Sequence, residues 1–234
     1  MKKTTALMIL FFISLFNLFS QDRVFERGEA LFMENKPAEA IPLLLSSLEK
    51  NPENEKLYMM LGISYSQTGN YANAVNYFKD GARVSAGEKD IYFYNAGNIY
   101  YLMGEYQLAE DMFSRALREN RNKGSIYLNR ANARLMLGRK EDAVNDYKTF
   151  LVLDPLNYQK DSVEKLIALL ETKARQETAR KQEEEARRIA EEQRREELLR
   201  DVLDSLKQVS QETRKVSAET ETISDYQEDL ELKE

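Results

Sequence analysis

The chain has 234 residues, 42% hydrophobic and 32% charged, with a formal net charge of −6, which is enough apolar mass for a packed domain plus a surplus of charge for a solvated part. It contains no histidine, cysteine or tryptophan, which removes Cys/His metal sites, thiol nucleophiles, Ser-His-Asp relays, disulfides and c-type haem attachment. It also has no D-x-D-x-D-G loop and no G-x-x-x-x-G-K, and its net acidity argues against phosphate backbones, so no enzyme, cofactor, metal site or nucleic-acid partner is expected.

Met1-Lys2-Lys3 is followed by an apolar run from Ala6 to Phe19, with Ser20 and Gln21 behind it. A basic start, an apolar middle and a small residue at the exit predict a secretory signal peptide over residues 1–20. Fourteen helical residues rise only about 21 Å against a hydrocarbon core of about 30 Å. The expected destination is therefore the bacterial periplasm, with no stable membrane insertion after cleavage; anchoring by an uncleaved signal is the alternative. No cysteine follows the run to be lipidated, and the chain has no N-x-Ser/Thr sequon.

All nine glycines fall between Gly28 and Gly138, and six of them form two series: Gly28, Gly62, Gly97 and Gly69, Gly104, Gly138. The period of 34 or 35 gives four units, 21–54, 55–88, 90–123 and 124–157. The second unit reads Tyr58, Leu61-Gly62, Tyr65, Gly69, Tyr71, Ala74, Phe78; the third reads Phe93, Ala96-Gly97, Tyr100, Gly104, Tyr106, Ala109, Phe113. Apolar spacing of 3 or 4 within each half predicts a helical hairpin, with Gly69 or Gly104 as the left-handed cap that ends the first helix. The first unit has Asn35 where the turn glycine belongs and Pro42 in its second helix, where a missing N–H predicts a kink. The fourth has Arg130 and Arg134 where the pattern asks for apolar or aromatic groups.

This pattern resembles the tetratricopeptide repeat family over residues 21–157, which implies an all-α solenoid of helical hairpins and a non-catalytic role in protein–protein interaction. The order of signal, repeats, charged helix and the Leu198–Lys207 segment also resembles the repeat-containing component of the bacterial Bat (aerotolerance) protein groups.

No glycine or proline follows Pro155, so nothing interrupts a helix there. Val163, Leu166, Ile167 and Leu170 predict a capping stripe on the last repeat, at the start of a capping and extended charged helix over 158–210. From Glu171 to Arg200 there are nine acids and nine bases, with Glu-to-Arg/Lys pairs at i,i+4 such as Glu177-Lys181, Glu183-Arg187 and Glu184-Arg188. Leu198, Leu199, Val202, Leu203, Leu206 and Val209 restore a short apolar stripe, which leaves self-association through the 160–210 helix open as a rival function. Residues 201–234 hold ten acids and four bases, so a disordered acidic tail is expected over 211–234.

In the resembled family the first helices line the concave face. That implies a peptide-binding set at Tyr94, Asn95, Asn98, Tyr101, Asn129 and Asn132, flanked by Leu102, Leu128 and Leu135. An amide side chain donates and accepts at once, which suits the backbone of an extended peptide; solvation or helix-to-helix hydrogen bonding is the other reading of these asparagines. The family's carboxylate clamp adds lysine and arginine, and Tyr94, Ser125 and Asn129 stand in its place, which argues against acidic C-termini as ligands.

Overall fold

The computed structural model describes residues 23–231, so the expected signal peptide over 1–20 lies outside the described residues. Among them every regular element is a helix: α1 over 23–33, then α2 Pro37–Lys50, α3 Glu55–Gln67, α4 Tyr71–Val84, α5 Lys89–Leu102, α6 Tyr106–Glu119, α7 Gly124–Met136, α8 Lys140–Leu153 and α9 Lys160–Glu231. From α2 to α8 each helix packs on the next, the arrangement of a hairpin solenoid. No helix among the described residues is long and apolar enough to cross a membrane.

Four tight turns carry the hairpins, and they share one design. Gly69, Gly104 and Gly138 take φ of +77°, +79° and +77°, and Asn35 takes +56° in the first turn. Asparagine is the side chain that best tolerates this region after glycine, which explains the departure at Asn35. At each turn the amide one residue later reaches back over the last helical turn: Lys36 N to Leu31 O at 2.9 Å, Asn70 N to Tyr65 O at 2.8 Å, Glu105 N to Tyr100 O at 2.9 Å and Arg139 N to Arg134 O at 2.9 Å. These bonds satisfy carbonyls that a helix end leaves unpaired. Pro42 lies inside α2, which continues through it to Lys50.

Aromatic side chains on the second helices fill the space that glycines on the first helices leave. A Cβ on Gly62 would lie 2.5 Å from Phe78, and one on Gly97 would lie 2.6 Å from Phe113. Between repeats, Tyr92 inserts against Gly81 and donates its hydroxyl to Glu55 O at 2.6 Å. At the end of the solenoid Val163, Ile167 and Leu170 are buried with Leu128, Ala131, Val144, Tyr147 and Phe150, and Leu166 packs against them, so the start of α9 covers the apolar face of α7 and α8.

Arg130 and Arg134 replace the expected apolar contacts with an ionic one. Asp146 is 4% exposed and Glu110 5%. Arg130 grips Asp146 with both Nε and Nη2 at 2.8 Å and bonds Ser114 Oγ with Nη1 at 3.2 Å. Arg134 donates to Glu110 and to Asp146, each at 2.8 Å, and Arg139 closes the set on Glu110 at 2.5 Å. The cluster ties α6, α7 and α8 together; buried carboxylates persist because each is multiply hydrogen-bonded by guanidinium.

The chain divides at Leu170/Glu171 into two compact units. The described part of the second is helical throughout, and α9 runs to Glu231, past residue 211 where a disordered tail is expected. Its sequence offers no glycine or proline to stop it. Glu177–Lys181 and Glu183–Arg187 pair as the spacing predicts, at 3.4 and 2.6 Å. Arg188 instead turns to Glu185, one turn back at i−3, at 2.7 Å. Leu199, Val202, Leu206 and Val209 are all exposed.

Candidate functional site

The first helices of successive repeats, α3, α5 and α7, are joined by side-chain amides. Asn95 on α5 donates to Met59 Sδ on α3 at 3.6 Å. Asn129 on α7 donates to Tyr94 Oη at 3.1 Å and to Asn98 Oδ1 at 2.8 Å, both on α5. Asn132 on α7 accepts the hydroxyl of Tyr147 on α8 at 2.6 Å. Helix-to-helix hydrogen bonding therefore uses part of the capacity of all four asparagines.

A pocket of about 230 Å³ opens beside these bonds, lined by Asn98, Tyr101, Leu102, Phe113, Asn129 and Asn132. Four of the six residues expected from sequence thus meet at one cavity. Tyr94 stands behind it, bonded to Asn129 and tilted against Phe113 at 6.0 Å between ring centres. Asn95 turns to the preceding repeat. Of the flanking leucines, Leu102 is 66% exposed at the rim, whereas Leu128 is 8% exposed in the core beneath α8 and is no part of the site. Phe113, which sequence periodicity assigns to the core, also forms a wall of the pocket.

The polar valences left over can be counted. Asn129 has spent both amide hydrogens and keeps its carbonyl oxygen as an acceptor. Asn98 keeps its NH2, Asn132 keeps its NH2, and the hydroxyls of Tyr94 and Tyr101 keep their hydrogens. No charged residue lines the pocket. Burial, and then the neighbouring Tyr106, push the Tyr101 phenol above its usual pKa, so it is a neutral donor throughout the physiological range. Part of the lining is apolar: Tyr101 packs edge-on against Tyr106 at 5.3 Å, and Leu102 is exposed.

A family model described as "Tetratricopeptide repeat" matches residues 25–90, 59–123 and 94–158, more than half of the chain taken together. The chain belongs to the tetratricopeptide repeat family. A curated relative, Tetratricopeptide repeat protein 16 of Macaca fascicularis, is 31% identical over 124 residues, which is 50% of this chain and 14% of the relative's length. Among solved structures, MamA residues 41 to the end from Desulfovibrio magneticus RS-1 aligns with a TM-score of 0.56 at 16% identity, over 67% of this chain and 93% of that one. MamA of AMB-1 aligns with a TM-score of 0.52 at 26% identity, over 58% of this chain and 79% of that one. The repeat domain shares the solenoid fold of these proteins, and the family's fold is that of protein–protein interaction scaffolds.

Proposed function

We propose that the protein is a non-enzymatic scaffold that holds an extended segment of a partner protein across α5 and α7, with one apolar side chain of that segment in the pocket between Asn98 and Asn132. The observation that carries this reading is the pocket's set of free valences: several neutral donors, one acceptor and no charge around an apolar wall. Peptide carbonyls satisfy the donors, a peptide N–H satisfies Asn129 Oδ1, and a leucine- or phenylalanine-sized side chain fits the apolar wall.

The deciding experiment starts from partners that co-purify with the native protein. Their affinity is then measured against Leu102→Ala and Asn98→Ala in the full chain. Loss of one neutral hydrogen bond weakens binding by about 0.5–1.5 kcal/mol, roughly two- to tenfold. Unchanged affinity in both variants, with binding abolished by substitutions on α9, would remove the groove from the function.

Export to the bacterial periplasm is part of the same proposal and rests on the basic start and the apolar run Ala6–Phe19, as does kinship with the Bat groups on the order of segments. Mass spectrometry of the native amino terminus tests it: Gln21 or a near neighbour is expected as the first residue, and intact Met1 in the membrane fraction contradicts it. The exposed stripe Leu199, Val202, Leu206, Val209 favours one rival, association of α9 between copies. Sedimentation as a monomer at every concentration tested excludes that rival.

A further inference from the structure

A second cavity, of about 310 Å³, is lined by Ser114, Leu117, Arg118 and Arg121 from the end of α6 and the loop after it, and by Tyr127 and Arg130 from α7. It shares no residue with the groove pocket. Its chemistry is one-sided, because no acidic residue lines it. Ser114 Oγ already accepts from Arg130 Nη1 at 3.2 Å. The three guanidinium groups in the lining can only donate, and Tyr127 Oη can donate as well.

The charges around it do not cancel. Residues 115–140 contain eight bases and a single acid, Glu119. Arg130, Arg134 and Arg139 are taken up by Asp146, Glu110 and Asp142, and Lys123 pairs with Asp90 at 2.7 Å. Arg118 and Arg121 are exposed, and neither has an ion-pair or hydrogen-bond partner among the described residues. The hydroxyl of Tyr127 is equally free, while its ring lies under Arg130 at 5.6 Å. The buried carboxylates nearby are saturated by their own arginines, so they cannot neutralise this pair.

We propose that the cavity between α6 and α7 binds a tetrahedral oxyanion of the phosphate class through Arg118 and Arg121, with Tyr127 Oη and the spare N–H groups of Arg130 behind them. Two free guanidinium groups present about ten N–H donors, more than the roughly four lone-pair sites of a carboxylate can use, whereas a phosphate group offers three or four oxygens pointing in different directions. Arginine suits this better than lysine because its fork engages two oxygens at once. The ligand is either free phosphate or a phosphate group carried on a partner protein's side chain, and the chemistry at the site is the same.

The test is titration of the full chain with inorganic phosphate at fixed ionic strength, followed through the arginine Nε–Hε resonances. Saturable shifts of Arg118 and Arg121 at millimolar phosphate are expected. Arg118→Gln and Arg121→Gln should each weaken binding about tenfold, with melting temperatures unchanged because both side chains are exposed and unpaired. Arg83→Gln, an exposed arginine of α4 paired with Asp80, should leave binding as it is. A phosphoserine peptide that binds tighter than inorganic phosphate, against its unphosphorylated control, assigns the site to a partner's side chain; equal affinity assigns it to free phosphate. The proposal is overturned if acetate binds as well as phosphate, if the double variant still binds normally, or if no saturation occurs across the millimolar range.

Discussion

Phe113 occupies the space that a side chain on Gly97 would need: a Cβ there would lie 2.6 Å from Phe113 Cε1. The ring also walls the groove pocket, so one close approach sets both the hairpin and the site. Alanine is the better helix former by about 1 kcal/mol, yet Gly97→Ala should destabilise the repeat domain by a net of about 1–3 kcal/mol, because the fully buried Phe113 ring has to give up its packing against α5 to admit the methyl group. Urea denaturation measures it. A variant as stable as the parent would show that α5 and α6 can separate at no cost.

Asp146 faces two guanidinium groups from inside the protein. Asp146→Ala leaves Arg130, 16% exposed, with Ser114 as its hydrogen-bond partner and leaves Arg134 with Glu110 and the Asp142 backbone carbonyl. Breaking a buried pair from one side costs about 3–5 kcal/mol. Asp142→Ala, which removes a half-exposed partner of Arg139, should cost under about 1 kcal/mol. Equal losses in the two variants would mean that the cluster is held by packing and not by charge.

The periodicity of small and aromatic residues made the hairpins legible, since Gly62, Gly97, Phe78 and Phe113 recur at a fixed interval and each has one geometrical job. The resembled family's groove positions put Leu128 beside the asparagines, but it is buried in the core that α7, α8 and the start of α9 share. Arg130 and Arg134 looked like defects in the fourth repeat because their partners, Glu110 and Asp146, lie 12 to 24 residues away on other helices. The asparagines were visible as a face, with helix-to-helix bonding as one reading of it, but which partners they take was not, because a single repeat does not show the rotamers of its neighbour. The oxyanion cavity had one legible sign, the run of eight bases against one acid in residues 115–140; which of those bases stay unpaired is a property of the fold.

Ser64 is fully buried, and its hydroxyl has no partner among the described residues. The equivalent residues one and two repeats later are Ile99 and Ala133, so nothing in the hairpin requires a hydroxyl. Ser64→Ala removes an unpaired polar group and should raise stability by about 1 kcal/mol. Thermal melts of the two proteins decide it, and a loss of stability would reveal a buried water bonded to Oγ.

Two tyrosines should make the fold sensitive to alkali. Burial, and then Glu55, push Tyr92 up to about 12, and burial, and then Tyr101, push Tyr147 up to about 12. Both phenols also spend their hydrogens inside the protein, on Glu55 O and Asn132 Oδ1. Unfolded tyrosine loses its proton near pH 10, so between about pH 10 and 12 the folded state binds more protons than the unfolded state, and stability falls as pH rises. Each tyrosine contributes about 2–3 kcal/mol to that loss. Below pH 10 neither contributes any pH dependence. Phenolate absorbance should show most tyrosines titrating before unfolding and these two only with it; a full titration without loss of helix would refute the assignment.

Asn98 and Asn129 give the sharpest test of whether the groove is a binding site or only a joint between repeats. Their 2.8 Å bond links α5 to α7 and also fixes which groups remain free: it turns the Asn98 NH2 and the Asn129 carbonyl outward. Asn129→Ala should lower stability by about 1 kcal/mol, since Tyr94 and Asn98 each lose a donor. A double-mutant cycle with Asn98→Ala should show a coupling of about 0.5 kcal/mol or more in stability. The same cycle measured on partner binding separates the roles. If the bond orients Asn98 for the peptide, Asn129→Ala weakens binding while Asn98 is present and has little further effect once it is gone. If the pair only joins the helices, the coupling appears in the melts and is absent from the affinities.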